Sequence, residues 1–302
     1  MREDFTHSAF LYDSLETYVS FLVPFICEGL ERDEAVAMVA PAAHVARVRD
    51  RLGRDAGEVR FRETEEFSVR PLRTIGTWAQ VLRTASAAGR PATRIIHEIN
   101  PEEQTPSWVR SESAMNAALA GHPAHLLCPF PRDGPVAEAR RTHKILYDGS
   151  WHLSDQYEDP LALLSDVPEP VFPAAGDPLV TATLGDSVAD LRAHLRNRAT
   201  AEEWLPPDRV EVLVLALSEL ASNGIRHGGD SRELRVWVNS AAVVCEVTDD
   251  GPNAPGPLAG YLPPVLGVVG GMGLWLVGQI CDAFSVHTTD GVTHARFALL
   301  RP

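Results

Sequence analysis

Glu219 and Asn223 lie four residues apart in the run Leu217-Ser218-Glu219-Leu220-Ala221-Ser222-Asn223-Gly224-Ile225-Arg226-His227-Gly228. On a helix that spacing puts both side chains on one face, one turn apart. A carboxylate and an amide oxygen so placed can hold a hydrated Mg2+ and orient a water or hydroxyl beside it. Mg2+ takes few protein oxygens and completes its shell with water and phosphate. Taken alone, the pair reads more readily as a solvated polar face. Asp249 ends the run Val243-Val244-Cys245-Glu246-Val247-Thr248-Asp249 and is followed by Asp250-Gly251. An acid at a strand end can accept a hydrogen bond from an exocyclic amine such as adenine N6, although Asp-Gly is also an ordinary turn signal. The third segment is Gly270-Gly271-Met272-Gly273-Leu274-Trp275-Leu276-Val277. Glycines ahead of a helix let backbone N–H groups approach a polyphosphate, and the helix N-terminus adds positive potential. None of the three is specific by itself; their order and spacing are.

Together, Glu219…Asn223, Asp249-x-Gly251 and Gly271-x-Gly273-Leu274 resemble the N, G1 and G2 boxes of the GHKL ATPase superfamily, in particular the compact anti-sigma-factor serine kinases of the RsbW and SpoIIAB type. The resemblance covers about residues 176–302. It implies a Bergerat fold (an α+β two-layer sandwich), binding of ATP with Mg2+, and a cytoplasmic regulatory role. By the same resemblance Asn223 holds Mg2+, Glu219 is the general base, and Asp249 binds the adenine amine. Gly251, Gly271, Met272, Gly273 and Leu274 line the nucleotide and its lid. Arg226 and His227 fall where a donor meets phosphate, and a role at the helix C-terminus, facing its dipole, suits them equally. The chain departs from the pattern at Asn253, where a full D-x-G-x-G box has its second glycine, and in the five prolines of the surrounding loop, Pro252, Pro255, Pro257, Pro263 and Pro264.

The elements that must hold these groups follow from periodicity and punctuation. The pattern predicts a segment Leu179 to Leu184, helices over 187–198 and 208–226, and strands over 233–239 and 242–247. A Gly/Pro-rich loop over 250–264 precedes a helix from near Gly273. Two last strands, 285–289 and 293–299, are joined by Asp290-Gly291. Residues 151–175 carry acids and prolines and read as an extended linker. Residues 1–150 alternate: a helix from Ser14 closed by Gly29, a buried strand at 35–40, a helix at 44–52 closed by Gly53, a helix at 77–88 closed by Gly89, a strand at 93–99, a helix at 108–119 closed by Gly121, and a strand at 125–128 stopped by Pro129. That alternation predicts an α/β domain with a doubly wound sheet.

This first half resembles the MEDS sensory domain (methanogen and methylotroph, DcmR-like). The likeness rests on His7-Ser8-Ala9-Phe10-Leu11-Tyr12, on the run from Phe25 to Ala35, on Trp108…Glu112…Asn116, and on Cys128-Pro129-Phe130 followed by Glu138-Ala139-Arg140-Arg141-Thr142-His143. Such domains look like relatives of RecA-type ATPases, and the chain has no G-x-x-x-x-G-K-[ST], so P-loop catalysis is not expected. His7, Tyr12, Glu98, Glu112 and His143 are candidates for a small-molecule pocket at the sheet's C-terminal edge, with solvated surface as the competing reading. A metal site built from His7, His97, His125 and His143 would need four distant segments to converge.

The chain has 302 residues, with Lys plus Arg 27 against Asp plus Glu 41, a formal net charge of −14 that disfavours a broad nucleic-acid surface. No apolar run is long enough to span a membrane, and the first ten residues lack a signal-peptide core. Cys27, Cys128, Cys245 and Cys281 form no C-x-x-C and read as small buried side chains. The pairing of the two halves resembles RsbA-type anti-sigma regulators. It implies a sigma factor or a STAS-type anti-anti-sigma factor as partner, an unknown small-molecule signal at the N-terminal domain, and leaves a homodimer open. A sensor histidine kinase, with His194 as acceptor, and a non-catalytic nucleotide-holding module are the alternatives.

Overall fold

Six apolar residues in a row, Ala35–Ala40, cannot alternate between core and water, so they form a strand covered on both faces. The computed structural model describes residues 5–64, 71–98, 106–167, 171–185, 188–264 and 271–301. It divides into two units, Met1–Val167 and Pro168–Pro302.

The first unit runs β1 (Phe5–Tyr12), α1 (Leu15–Glu31), β2 (Ala35–Ala40), α2 (Ala42–Leu52), β3 (Val59–Glu63), α3 (Pro71–Ala87), β4 (Thr93–His97), α4 (Pro106–Ala118), β5 (Ala124–Pro131), α5 (Val136–Thr142), β6 (Ile145–Tyr147), β7 (Trp151–Leu153) and α6 (Pro160–Asp166). Its sheet has the order β3-β2-β4-β5-β1-β6-β7, parallel throughout except for β7, which returns antiparallel to β6. Ser14 caps α1 by accepting from the Thr17 N–H. Gly29 does not close that helix, as its sequence position suggests. The helix continues to Glu31, and Gly29 instead admits the Arg94 side chain, whose Cδ would lie 2.7 Å from an added Cβ. Arg94 there meets Glu28 and Glu34 and lies over the Phe25 ring.

Residues 151–167 are not linker. Trp151–Leu153 pair with β6, and α6 buries Leu163 and Leu164 against α4. The Asp159 side chain caps α6 at Leu161 and Ala162, so an acid that reads as linker composition is a helix N-cap.

The second unit runs β8 (Val180–Thr183), α7 (Ala189–Ala201), α8 (Pro207–His227), β9 (Arg232–Val238), β10 (Ala242–Asp249), α9 (Met272–Ile280), β11 (Ala283–Thr289) and β12 (Val292–Leu300). Its sheet is antiparallel, in the order β11-β12-β10-β9-β8. The register puts Cys245 beside Val236 and Phe297, and Val247 beside Leu234 and Ala295, all turned to the layer holding α8. The opposite face of β10 is buried too. Phe172 and Ala174 pack on Trp237, Val244 and Ala298, and the Trp237 indole donates to the Gly176 carbonyl at 3.1 Å. The C-terminal part of the expected linker is thus a strap on the second sheet. Asp290 and Gly291 both take positive φ and close the β11–β12 hairpin as the sequence predicts. Ser187 and Gly270, used above to start a helix and a glycine run, lie outside the described residues. Among the described residues no helix is long and apolar enough to cross a membrane.

Candidate functional site

The last three turns of α8 are the backbone of the site. Leu213, Leu217 and Leu220 are buried and fix the helix on its sheet, which leaves Glu219 and Asn223 half-buried on an adjoining face. Among the described residues neither side chain spends its polar atoms on a hydrogen bond. Gly224 rests on Val247 of β10, where an added Cβ would be in ordinary contact at 3.4 Å. The backbone can therefore run close to the strand just where Asn223 is presented.

Gly273, in the first turn of α9, faces the same pair. A Cβ added there would lie 2.8 Å from Glu219 Oε2 and 3.4 Å from Asn223 Nδ2. Gly271 is the N-cap of α9, in the left-handed region with φ +75, with open space where a side chain would be. The first amides of α9 are thus presented beside a carboxylate and an amide side chain. Met272 is largely exposed and Leu274 half-buried.

At the other end of the site, Asp249 closes β10 and its Oδ1 accepts from the Gly251 N–H at 3.0 Å. Gly251 has no room for a side chain: an added Cβ would sit 2.5 Å from the His227 carbonyl oxygen and 2.7 Å from Gly228 Cα. The strand end and the helix end are therefore pressed together through glycines, and Gly228, ahead of that contact, meets the Asp249 side chain in the same way. Arg226 and His227 are exposed at the C-terminus of α8, where a cation also meets the helix dipole. The proline-rich loop is anchored in its middle: Gly260, at φ +82, abuts the Phe284 ring and Tyr261 is buried.

The donor set suits a magnesium nucleotide. One carboxylate and one amide supply few hard oxygens, the glycine-lined α9 terminus offers backbone N–H groups, and a second carboxylate stands apart at the strand end. Arg192, on α7, joins this arrangement without any motif that marks it. Its Nε–H donates to Ser218 Oγ at 2.6 Å, next to Glu219, and ties α7 to the site helix. Arg196 and Arg198 pair with Glu211 and Glu202. A legible hint of the close packing was the glycine pair Gly224 and Gly228, one turn apart at the end of an apolar helix.

In the first unit the structure divides the five polar candidates. Tyr12 donates to Glu98 Oε1 at 2.7 Å, and His44 Nδ1 lies 2.8 Å from Glu98 Oε2, at the C-terminal ends of β1 and β4. Burial, then the Glu98 charge, raises the Tyr12 phenol far above its ordinary range. His7, Glu112 and His143 lie elsewhere, together with Cys128. The single pocket expected for all five is therefore two sites, because His7 sits five residues before Tyr12 on β1 and points to the face that carries α4. His97 packs edge-on against Trp78 and His125 against Phe25, so of the four histidines weighed as ligands only His7 and His143 join one cluster.

Residues 6–144 match the methanogen/methylotroph DcmR sensory domain, MEDS, and residues 180–299 match the histidine kinase-like ATPase domain. The five-stranded antiparallel sheet with its helices fits the GHKL fold of the latter, a domain type that implies nucleotide binding. No curated protein matches the chain.

Proposed function

We propose that this chain, an N-terminal MEDS domain followed by a histidine kinase-like ATPase domain, is a cytoplasmic regulatory switch of the RsbW anti-sigma type. The second unit binds Mg-ATP and a sigma factor or a STAS-type anti-anti-sigma partner, and phosphorylates a serine of that partner. The first unit, read as a RecA-like sheet without a P-loop, senses a small-molecule signal. The observation that carries this reading is Gly273 seated against Glu219 and Asn223, which brings the α9 terminus and the one-turn pair of α8 to one point.

ATP supplies the phosphoryl group. Asn223 would hold Mg2+, which would offset the phosphate charge; the α9 amides beyond Gly271 would meet the polyphosphate, and Asp249 would accept from the adenine amine. Glu219 takes the proton of the incoming hydroxyl. A signal in the first unit acts only by favouring one state of the chain over another, so ligand and partner affinities must be linked.

A histidine kinase needs its acceptor on a dimerising helical hairpin. His194 is exposed on α7, a single helix of 13 residues whose Arg192 is tied to the site helix, which favours the serine-kinase reading. Incubation of the full chain with γ-labelled Mg-ATP, with and without a STAS-domain protein, tests the proposal. The expected result is label on a partner serine, lost in Glu219→Gln while nucleotide binding persists. Label on His194 would establish a histidine kinase instead, and bound nucleotide without transfer to the partner would reduce the unit to a binding module.

A further inference from the structure

Four side chains from four separate segments meet inside the first unit: His7 of β1, Glu112 of α4, Cys128 of β5 and His143, just beyond α5. All four are buried, Glu112 and His143 completely. We propose that they form a closed binding site for one zinc-class divalent cation.

The spacing carries the argument. A tetrahedral ion with N, O and S ligands at roughly 2.0–2.3 Å sets its donor atoms roughly 3.3–3.8 Å apart. His7 Nε2 lies 3.1 Å and His143 Nε2 3.3 Å from Glu112 Oε2; Cys128 Sγ lies 3.4 Å from His7 Nε2 and 3.7 Å from Glu112 Oε2. All four donor atoms fall within 4.8 Å of one another.

The hydrogen bonds around the cluster point the same way. Asn116 Nδ2 donates to the carbonyls of Thr142, at 3.0 Å, and Glu112, at 3.3 Å. That turns Oδ1 towards His7 Nδ1, at 3.2 Å, so the Nδ1 edge of the ring is held by the amide and the Nε2 edge faces Glu112 and Cys128. His143 Nδ1 lies 2.9 Å from Thr142 Oγ1 and 3.0 Å from the Ala139 carbonyl oxygen, so that edge of the ring is engaged outside the cluster. His143 Nε2, on the opposite edge, has no hydrogen-bond partner among the described residues and lies 3.3 Å from Glu112 Oε2. Glu112 Oε1 has no hydrogen-bond partner among the described residues. Two imidazole Nε2 atoms, a carboxylate oxygen and a thiol sulfur thus converge on one buried point. A cation answers that arrangement, and a ring N–H bonded outward to a carbonyl or amide is how ligating imidazoles are held.

The mixed N, S and O set favours Zn2+ and its neighbours over Mg2+ or Ca2+. Four protein ligands in a dry interior leave no open position, which describes an ion that fixes structure and not one that activates water. It would tie β1 to β5 across the sheet and both to α4 and the start of β6. Occupancy would then set the stability of the sensory unit, whatever the second unit binds.

Metal analysis of the full chain tests this, followed by chelator treatment and titration with Zn2+ or Co2+. The expected result is one ion per chain, with a thiolate-to-cobalt charge-transfer band and the intense visible bands of tetrahedral Co2+. Cys128→Ala, which suits the buried position, loses the charge-transfer band, and chelator lowers the melting temperature of the wild type but not of this variant. Asn116→Ala, which removes the acceptor that orients His7 together with the bonds to the Thr142 and Glu112 carbonyls but no ligand, keeps the band and weakens binding roughly 10- to 100-fold. Folded wild-type protein that takes up neither ion stoichiometrically would overturn the proposal, as would binding unchanged in both Cys128→Ala and Glu112→Gln.

Discussion

At the scale of single residues, the glycines of the second unit separate function from stability. Gly273→Ala meets only the ends of two side chains, which can turn away, and alanine is the better helix former by about 1 kcal/mol. The melting temperature should hold or rise while Glu219 and Asn223 are displaced, so nucleotide affinity falls; calorimetry beside a thermal melt reads both. Gly251→Ala meets backbone at His227 and Gly228, which cannot turn away, and overpacking of that kind costs ~1–3 kcal/mol. Equal melting temperatures for the two variants would contradict this assignment of the contacts. His125 gives a pH test. Burial, helped by Arg94 and His7, holds it down to about 4, and Ser8 Oγ lies 2.7 Å from its Nε2. The unfolded chain takes up this proton near 6.5 and the folded chain refuses it until about 4, so stability falls with pH across that window and levels below it. Urea denaturation at about pH 7.5 and about pH 4.5 should show a drop in the wild type that is smaller in His125→Gln; an identical drop in both would remove His125 from the account.

At the scale of elements, the sequence reading succeeds where a signal is local and fails where it depends on sheet order. The site helix, the strand ending in Asp249 and the glycine-led α9 are legible because periodicity, turn residues and glycines lie within a few positions of one another. The short strands β3, β6 and β7 carry too few residues to show a period, and β7 and α6 are hidden by prolines and acids that look like linker. Leu163→Ala tests the revised boundary. In a linker it would be silent, whereas at a site of 0 % exposure against α4 it should cost ~2–5 kcal/mol of first-unit stability by chemical denaturation. The cluster of His7, Glu112, Cys128 and His143 was illegible for a different reason. Its members meet only because β1 is inserted between β5 and β6, a choice of strand order that no local pattern encodes.

At the scale of the whole molecule, the chain joins two units with different chemistry: a parallel-rich sheet with buried histidines and carboxylates, and an antiparallel sheet whose helices present a sparse set of oxygens and backbone amides. The net charge of −14 makes the nucleotide site a local matter, since nothing in the overall field attracts a polyphosphate. On the proposed reading, binding would come from the α9 terminus, Mg2+ and the named side chains. Calorimetric titration of the full chain with ATP, with and without Mg2+, measures that. The expected result is one site per chain, a Mg2+-dependent part that Asn223→Ala removes, and a loss of roughly tenfold to a hundredfold in Asp249→Ala, the cost of one buried charge-assisted hydrogen bond. Folded wild-type protein that shows no heat with millimolar Mg-ATP, or variants that bind as the wild type does, would contradict it.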